Sequence, residues 1–411
     1  MPPAKPERRE QGRAIIIGGS MSGLFAGLML RNAGWQVDIY EKVVGELSGR
    51  GAGIVAQPEI LAALEALGLE TRDLGVAVQK RRLFDSSGRL VLETDCPQVM
   101  TAWERVYRIL RDAFPAQHYH QGQSLRAIEQ TAEKVTAAFA DGQSVSADLL
   151  IGADGIRSTV RGLCAPDAQP LYAGYVAWRA LIAEGAMPPH IHRDIFPVMA
   201  FCLPLGEQML GYPVAGADND LRPGHLRYNM IWYRPADEGT ELVSLLTDEN
   251  GIAHSMSIPP PLISRASIAA MREAARRVLA PQFVEAVDVV DQPLLQPIFD
   301  LQSKRIAFGR VAIIGDAAFV ARPHVGGGVA KAAGDADALT IALRENSDIA
   351  AALLQFESAR LPVGHQMIQR ARHLGAYLQA QRTSEEAELS ARHSIPEAVL
   401  AETATLNFLY A

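Results

Sequence analysis

Four uninterrupted apolar residues, Ala14, Ile15, Ile16 and Ile17, form the first firm pattern in the chain. A continuous run of this kind is what a parallel strand covered on both faces requires. A glycine-rich turn follows at once. Residues 23–33 then carry the small and apolar positions of a closely packed helix ended by Gly34, and residues 36–40 read as a second strand, completing a βαβ unit. Between about 171 and 233 the texture changes to alternating apolar and polar positions with interspersed aromatics (Tyr172, Tyr175, Trp178, Trp232, Tyr233), which predicts antiparallel sheet. Buried-strand texture returns at 311–314, and 326–381 reads as largely helical. The expected fold is α/β: a Rossmann-like domain built from 13–73, 103–165 and 299–345, interrupted by an antiparallel-sheet domain from 74–102 and 166–298, with C-terminal helices over 346–411.

Three segments of this pattern carry chemistry. Gly18-Gly19-Ser20-Met21-Ser22-Gly23 is a G-x-G-x-x-G fingerprint with Ser20 in the middle position. Gly18 permits the tight turn, Ser20 is small enough for backbone to approach a pyrophosphate, and Gly23 lets helix and strand pack closely. Glu41 ends the second strand, where a carboxylate accepts from ribose hydroxyls, with Lys42 beside it. The second segment runs from Leu149 through Asp154 and Gly155 to Arg161, and read alone it is a strand, an Asp-Gly turn and a helix capped by Ser158. In the third, Asp316 stands at a strand end to accept from ribitol hydroxyls, and Pro323, His324, Gly326, Gly327 and Gly328 form a loop whose bare backbone can approach a flat ring.

Charge and cysteine usage narrow the field. A net charge of −7 over 411 residues, with no long basic run after the first dozen, argues against a nucleic-acid surface. The three cysteines are far apart and lack metal-ligand spacing, so neither a disulfide framework nor a metal site is expected. The polar start and the lack of about 18 successive uncharged apolar residues point to a cytoplasmic protein without a membrane span. The apolar stretch 396–410 suits packing on a partner subunit, as in a homodimer, ahead of packing on a membrane surface.

In this order the three motifs resemble the class A flavoprotein aromatic hydroxylases, the para-hydroxybenzoate hydroxylase-like family, over nearly the whole chain. The resemblance implies a glutathione reductase-like FAD-binding domain, with the first motif at the ADP moiety and the third at the ribityl chain and isoalloxazine. The stretch 47–59, including Arg50, the run 172–179 and Arg322-Pro323-His324 look most like the pyridine-hydroxylating branch. Two departures stand out: Ser20 for the usual glycine, and Phe319 where the family commonly has a histidine after Gly-Asp-Ala-Ala. Arg108 matches the family's flavin-contacting arginine imperfectly.

What the resemblance implies is a monooxygenase with non-covalent FAD, NADH or NADPH as co-substrate and O2, passing through a C4a-hydroperoxyflavin to hydroxylate a small electron-rich aromatic or N-heteroaromatic ring. Only one dinucleotide fingerprint is present, so the nicotinamide binds without a Rossmann domain of its own, and the segment 154–161 is implicated. A base that deprotonates a ring hydroxyl would enrich the ring further. The candidates are His324 and Tyr212, with His225 and Tyr228 behind them, and Trp178, Arg179 and Tyr228 are candidate substrate contacts. The alternatives are a flavin-dependent dehydrogenase or oxidase on the same fold, and a non-catalytic FAD-binding redox sensor.

Overall fold

A computed structural model describes residues 12–45, 47 and 53–410, so Arg50 lies outside the described residues. The apolar run near the start becomes the strand Arg13–Ile17, paired in parallel with Leu149–Gly152 on one side and Gln36–Glu41 on the other. Val311–Ile313 and Tyr119–Gln121 extend the parallel sheet outward, and Ala307–Phe308 adds an antiparallel edge. Ala14, Ile15 and Ile16 are fully buried, as a strand covered on both faces must be. Helices Met21–Asn32 and Gly328–Glu345 pack against each other, the latter burying Ala330, Ala333 and Ala336, small residues that allow close approach. A three-stranded antiparallel meander, Leu125–Gln130, Val135–Phe139 and Ser144–Ala147, lies on the path between Tyr119–Gln121 and Leu149–Gly152.

The second sheet has nine strands among the described residues. In order they are Phe319–Val320, Leu294–Gln302, Leu171–Ala183, Arg227–Pro235, Gln208–Val214, Met199–Cys202, Val76–Phe84, Leu90–Ala102 and Gly53–Val55. All neighbours are antiparallel except Met199–Cys202 with Val76–Phe84. One face packs on helices Arg265–Val278 and Pro281–Asp288 through Trp178, Tyr228, Met230 and Trp232. The other face carries Tyr175, Tyr212, Ile231 and Tyr233, and against it lie Val399, Leu400 and Ala404.

The helical stretch expected over 326–381 is two helices, Gly328–Glu345 and Ile349–Gly375, separated at Asn346 and restarted by the Asp348 side chain accepting from Ala351 N–H at 3.1 Å. The apolar character of 396–410 is satisfied within the chain: Val399, Leu400 and Leu406 are buried against its own sheets, so this stretch no longer argues for a partner subunit. Among the described residues, no helix is long and apolar enough to cross a membrane.

Candidate active site

The glycine fingerprint is held by geometry that only glycine satisfies. Gly18 has φ +107°, and a Cβ there would stand 2.3 Å from the Ala153 carbonyl oxygen; at Gly23 it would meet the Gly18 oxygen at 1.9 Å. No side chain caps the helix at Ser20, which leaves first-turn N–H groups for a phosphate. Glu41 is buried at the adjacent strand end and accepts from Gly19 N–H and Val43 N–H, both at 2.9 Å, while Lys42 is exposed.

The middle motif has a structural job. The Asp154 carboxylate accepts from the Ser158 hydroxyl and from Thr159 N–H at 2.6 Å, so it caps the helix Thr159–Cys164; burial raises its pKa. Arg161 donates to the Ala317 carbonyl at 3.1 Å and thereby fastens this turn to the third motif. The Asp154 carboxylate is thus taken up by the helix start, and its neighbours Ala153 and Gly155 are the residues that reach the cavity.

The third motif meets the first. Gly315, at φ +60°, would drive a Cβ to 1.9 Å from the Ser22 hydroxyl, and its N–H donates to Asp335 at 2.9 Å. Asp316 presents a half-exposed carboxylate with Lys331 Nζ 3.4 Å away, and Lys331 donates to the Phe319 carbonyl at 2.6 Å. Phe319 fills the space left by Gly364 on the long helix, where a Cβ would lie 2.5 Å from its ring. That contact accounts for an aromatic residue in place of the family's histidine. Gly326 takes a left-handed conformation, φ +60°, and Gly327 starts the helix Gly328–Glu345 with no side-chain cap.

These segments and the second sheet enclose one cavity of about 470 Å³. Ser20, Asp316 and Pro323 to Gly328 line the side facing the parallel sheet; Arg179, Tyr212, Tyr233 and Gln296 line the side facing the antiparallel one. At Gly155 and Gly328 a Cβ would meet nothing within 4 Å, so both glycines open onto free space. Two uncapped helix starts, an accepting carboxylate at each of two strand ends and bare backbone around a flat space are the groups that a dinucleotide with a planar ring needs, and FAD fits them. When bound, FAD supplies the redox chemistry and the activation of oxygen; the chain orients the ring and excludes water.

The family described as FAD binding domain matches residues 12–169, and the one described as FAD binding domain-like matches 172–300. The 2,6-dihydroxypyridine 3-monooxygenase of Paenarthrobacter nicotinovorans is 32% identical over 368 residues, covering 89% of this chain and 91% of its own. The chain belongs to the class A FAD-dependent hydroxylases. It is an FAD-dependent monooxygenase that takes electrons from NAD(P)H and oxygen from O2. The solved structure of 2,6-dihydroxypyridine-3-hydroxylase from Arthrobacter nicotinovorans superposes with TM-score 0.85 at 31% identity, covering 91% of this chain and 94% of that one. An FAD-dependent urate hydroxylase from Klebsiella pneumoniae is 28% identical, covering 88% of each chain.

Several residue expectations for this hydroxylase are corrected by the structure. Trp178 and Tyr228 point away from the cavity into the helix-covered core, because the side chains of a strand alternate between faces. Arg179, next in sequence to Trp178, does line the cavity. Arg108 forms ion pairs with Glu104 at 2.8 Å and Asp218 at 2.9 Å, and is not among the cavity residues. His225 is exposed beside Asp220.

His324 and Tyr212 do stand on the cavity wall, yet neither has the properties of a base. Burial, helped by Arg322, lowers the His324 pKa to about 3, and its Nε2 shares a 2.8 Å hydrogen bond with the Tyr175 hydroxyl. Burial pushes Tyr212 up to about 12, and its O–H donates to the Gly53 carbonyl at 2.9 Å. A general base works best with a pKa near the operating pH.

Other residues of the site were not read from the sequence. Gln296 accepts from Arg179 Nη1 at 2.8 Å. Arg322 is buried and neutralised by Asp300 at 2.9 Å, and Arg372 also reaches Asp300 at 3.0 Å. Thr403 and Ala404 close the cavity from the C-terminal segment. Ala404 N–H donates to the His324 carbonyl at 2.6 Å, and the Ala404 carbonyl accepts from Gln57 at 3.1 Å and Gln98 at 2.9 Å. The fully buried Arg81 donates to the Leu400 carbonyl and to Gln98 Oε1, the latter at 2.6 Å.

Proposed function

We propose that this monooxygenase hydroxylates a small hydroxylated N-heteroaromatic ring of the hydroxypyridine type, at a carbon next to an existing hydroxyl. The observation that carries this reading is the cavity of about 470 Å³, where Arg179, Gln296, Tyr212 and Tyr233 set polar groups and aromatic rings opposite the flavin loop. The similarity to the dihydroxypyridine enzyme over most of both chains supports the same class. A pyridine nitrogen withdraws density from its ring, and a ring hydroxyl restores it at the neighbouring carbon. Tyr212 and Tyr233 keep their protons because burial raises both, so neither brings negative charge to the ring; the Tyr212 O–H is taken by the Gly53 carbonyl, which leaves Tyr233 as the O–H donor.

The test is a panel of hydroxypyridines and hydroxybenzoates scored for stimulated NAD(P)H oxidation and for hydroxylated product. Coupled turnover of a hydroxypyridine is expected. Product from hydroxybenzoates alone would overturn the ring class, and flavin reduction by the ring without NAD(P)H would mark an oxidase or dehydrogenase instead.

A further inference from the structure

Arg179 is a cation on the cavity wall with no carboxylate partner among the described residues. Its Nη1 donates to the neutral Gln296 side chain at 2.8 Å, its Nε is buried without a partner, and among the described residues it makes no ion pair. A half-buried guanidinium with an idle donor costs stability unless an anion completes it. Of the other charged groups around the space, Arg322 is held by Asp300, a carboxylate it shares with Arg372, and Asp316 lies beside Lys331 on the cofactor side. Facing Arg179 from the neighbouring strands are Gln296, Ile231, Tyr233 and Tyr212, none of them anionic at neutral pH. His324, across the cavity, is uncharged.

From this arrangement we infer that the enzyme takes its substrate from solution as the ring oxyanion, with Arg179 as the group that receives the charge. The proton leaves before binding: ring–OH gives ring–O⁻ and H⁺, and the proton goes to bulk water, so no side chain in the cavity has to accept it. This rests on the reading of a small hydroxylated ring and adds the ionisation state to it. It accounts for a site in which Arg179 is a cation while neither His324 nor Tyr212 has a pKa suited to a base. Gln296 is the positioning residue that aims the guanidinium, with the rings of Tyr212 and Tyr233 beside it. Specificity follows: a ring whose hydroxyl ionises near neutrality is preferred over one of the same shape that does not.

The experiment is calorimetric titration of the FAD-loaded enzyme, under nitrogen and without NAD(P)H, from pH 5.5 to 9. The probes are 2,6-dihydroxypyridine and 4-nitrophenol as acidic rings, and 2,6-dimethoxypyridine as a ring that does not ionise. For the wild type, Kd should fall about tenfold per pH unit below the ligand's own pKa and level off above it, with the break moving from ligand to ligand. Arg179→Gln should weaken binding of the anion roughly 10- to 100-fold and flatten the profile. Arg179→Lys should restore the slope, and unchanged FAD absorbance in both variants shows that they are folded. If the wild type binds the acidic pyridine with a flat profile, or Arg179→Gln keeps the slope, the inference is overturned while the pyridine reading stands. If only 4-nitrophenol binds, with an Arg179-dependent slope, the anion inference holds and the pyridine reading falls. If neither acidic ring binds the wild type, both fall.

Discussion

The Tyr175 hydroxyl and His324 Nε2 lie 2.8 Å apart in a fully buried pair, with Arg322 close by. Burial raises Tyr175 and lowers His324, so both stay neutral, and the histidine ring is fixed by its partner rather than free to shuttle protons.

A pH effect on stability follows, and its sign is set by the depressed pKa. The unfolded histidine binds a proton below about 6.5 and the folded one only near 3, so the stabilisation is complete above 6.5 and is lost as the pH falls toward 3. By pH 5 the wild type should have lost about 2 kcal/mol more than His324→Asn, measured by urea unfolding at each pH. The pH dependence of kcat/KM between 6 and 9 should carry no inflection from His324. A break that disappears in His324→Asn would show that the ring titrates.

Gly328 separates cofactor binding from folding. A Cβ there meets nothing within 4 Å of protein, unlike Gly18, where it would collide with Ala153. Gly328→Val should keep apoprotein stability within about 1 kcal/mol of the wild type. It should nonetheless purify with little FAD, because the added carbons occupy the cradle. Full FAD occupancy by absorbance would show that the flavin does not lie against this helix start.

Trp178 offers a control on the far face of the sheet. Trp178→Ala should cost roughly 3–5 kcal/mol of stability through the cavity it leaves in the core. Ligand Kd in the folded fraction should stay within about twofold of the wild type, whereas Arg179 variants should do the reverse. A large change in Kd with little loss of stability would place Trp178 in the site after all.

Gln98 links Arg81 to the C-terminal segment. Gln98→Leu removes the acceptor of Arg81 Nη2 and one donor to the Ala404 carbonyl, and each orphaned buried group costs about 1–3 kcal/mol. Hydrogen exchange at Ala404 N–H should quicken well beyond that at the core strand Arg13–Ile17. Equal protection in variant and wild type would show that Gln57, Arg81 and the His324 carbonyl hold the segment without Gln98.

How much of this was legible depends on how local each constraint is. The turn at Gly18, the helix behind Gly23 and the carboxylate of Glu41 fall within one βαβ unit, and backbone sterics alone dictate their residue types. Arg179 and Trp178 were equally plausible because the run Tyr175 to Trp178 is buried on both faces, and period-two alternation between polar and apolar residues is then erased. The pairing of Arg322 with Asp300 and the wall at Thr403 join residues far apart in sequence, for which no local pattern exists. Lys331 did leave a trace, as a lone cation among alanines at the start of a helix.

The Ala404 carbonyl is held by Gln57, 347 positions earlier, so the wall joins segments made at very different times during synthesis. A nascent chain that has already folded its first βαβ unit can cradle the ADP end of the cofactor while the chamber around the reacting ring still stands open to water. Sealing it demands one of the longest loop closures in the molecule, so a chain lacking residues 396–406 is expected to keep FAD yet release hydrogen peroxide in place of hydroxylated product.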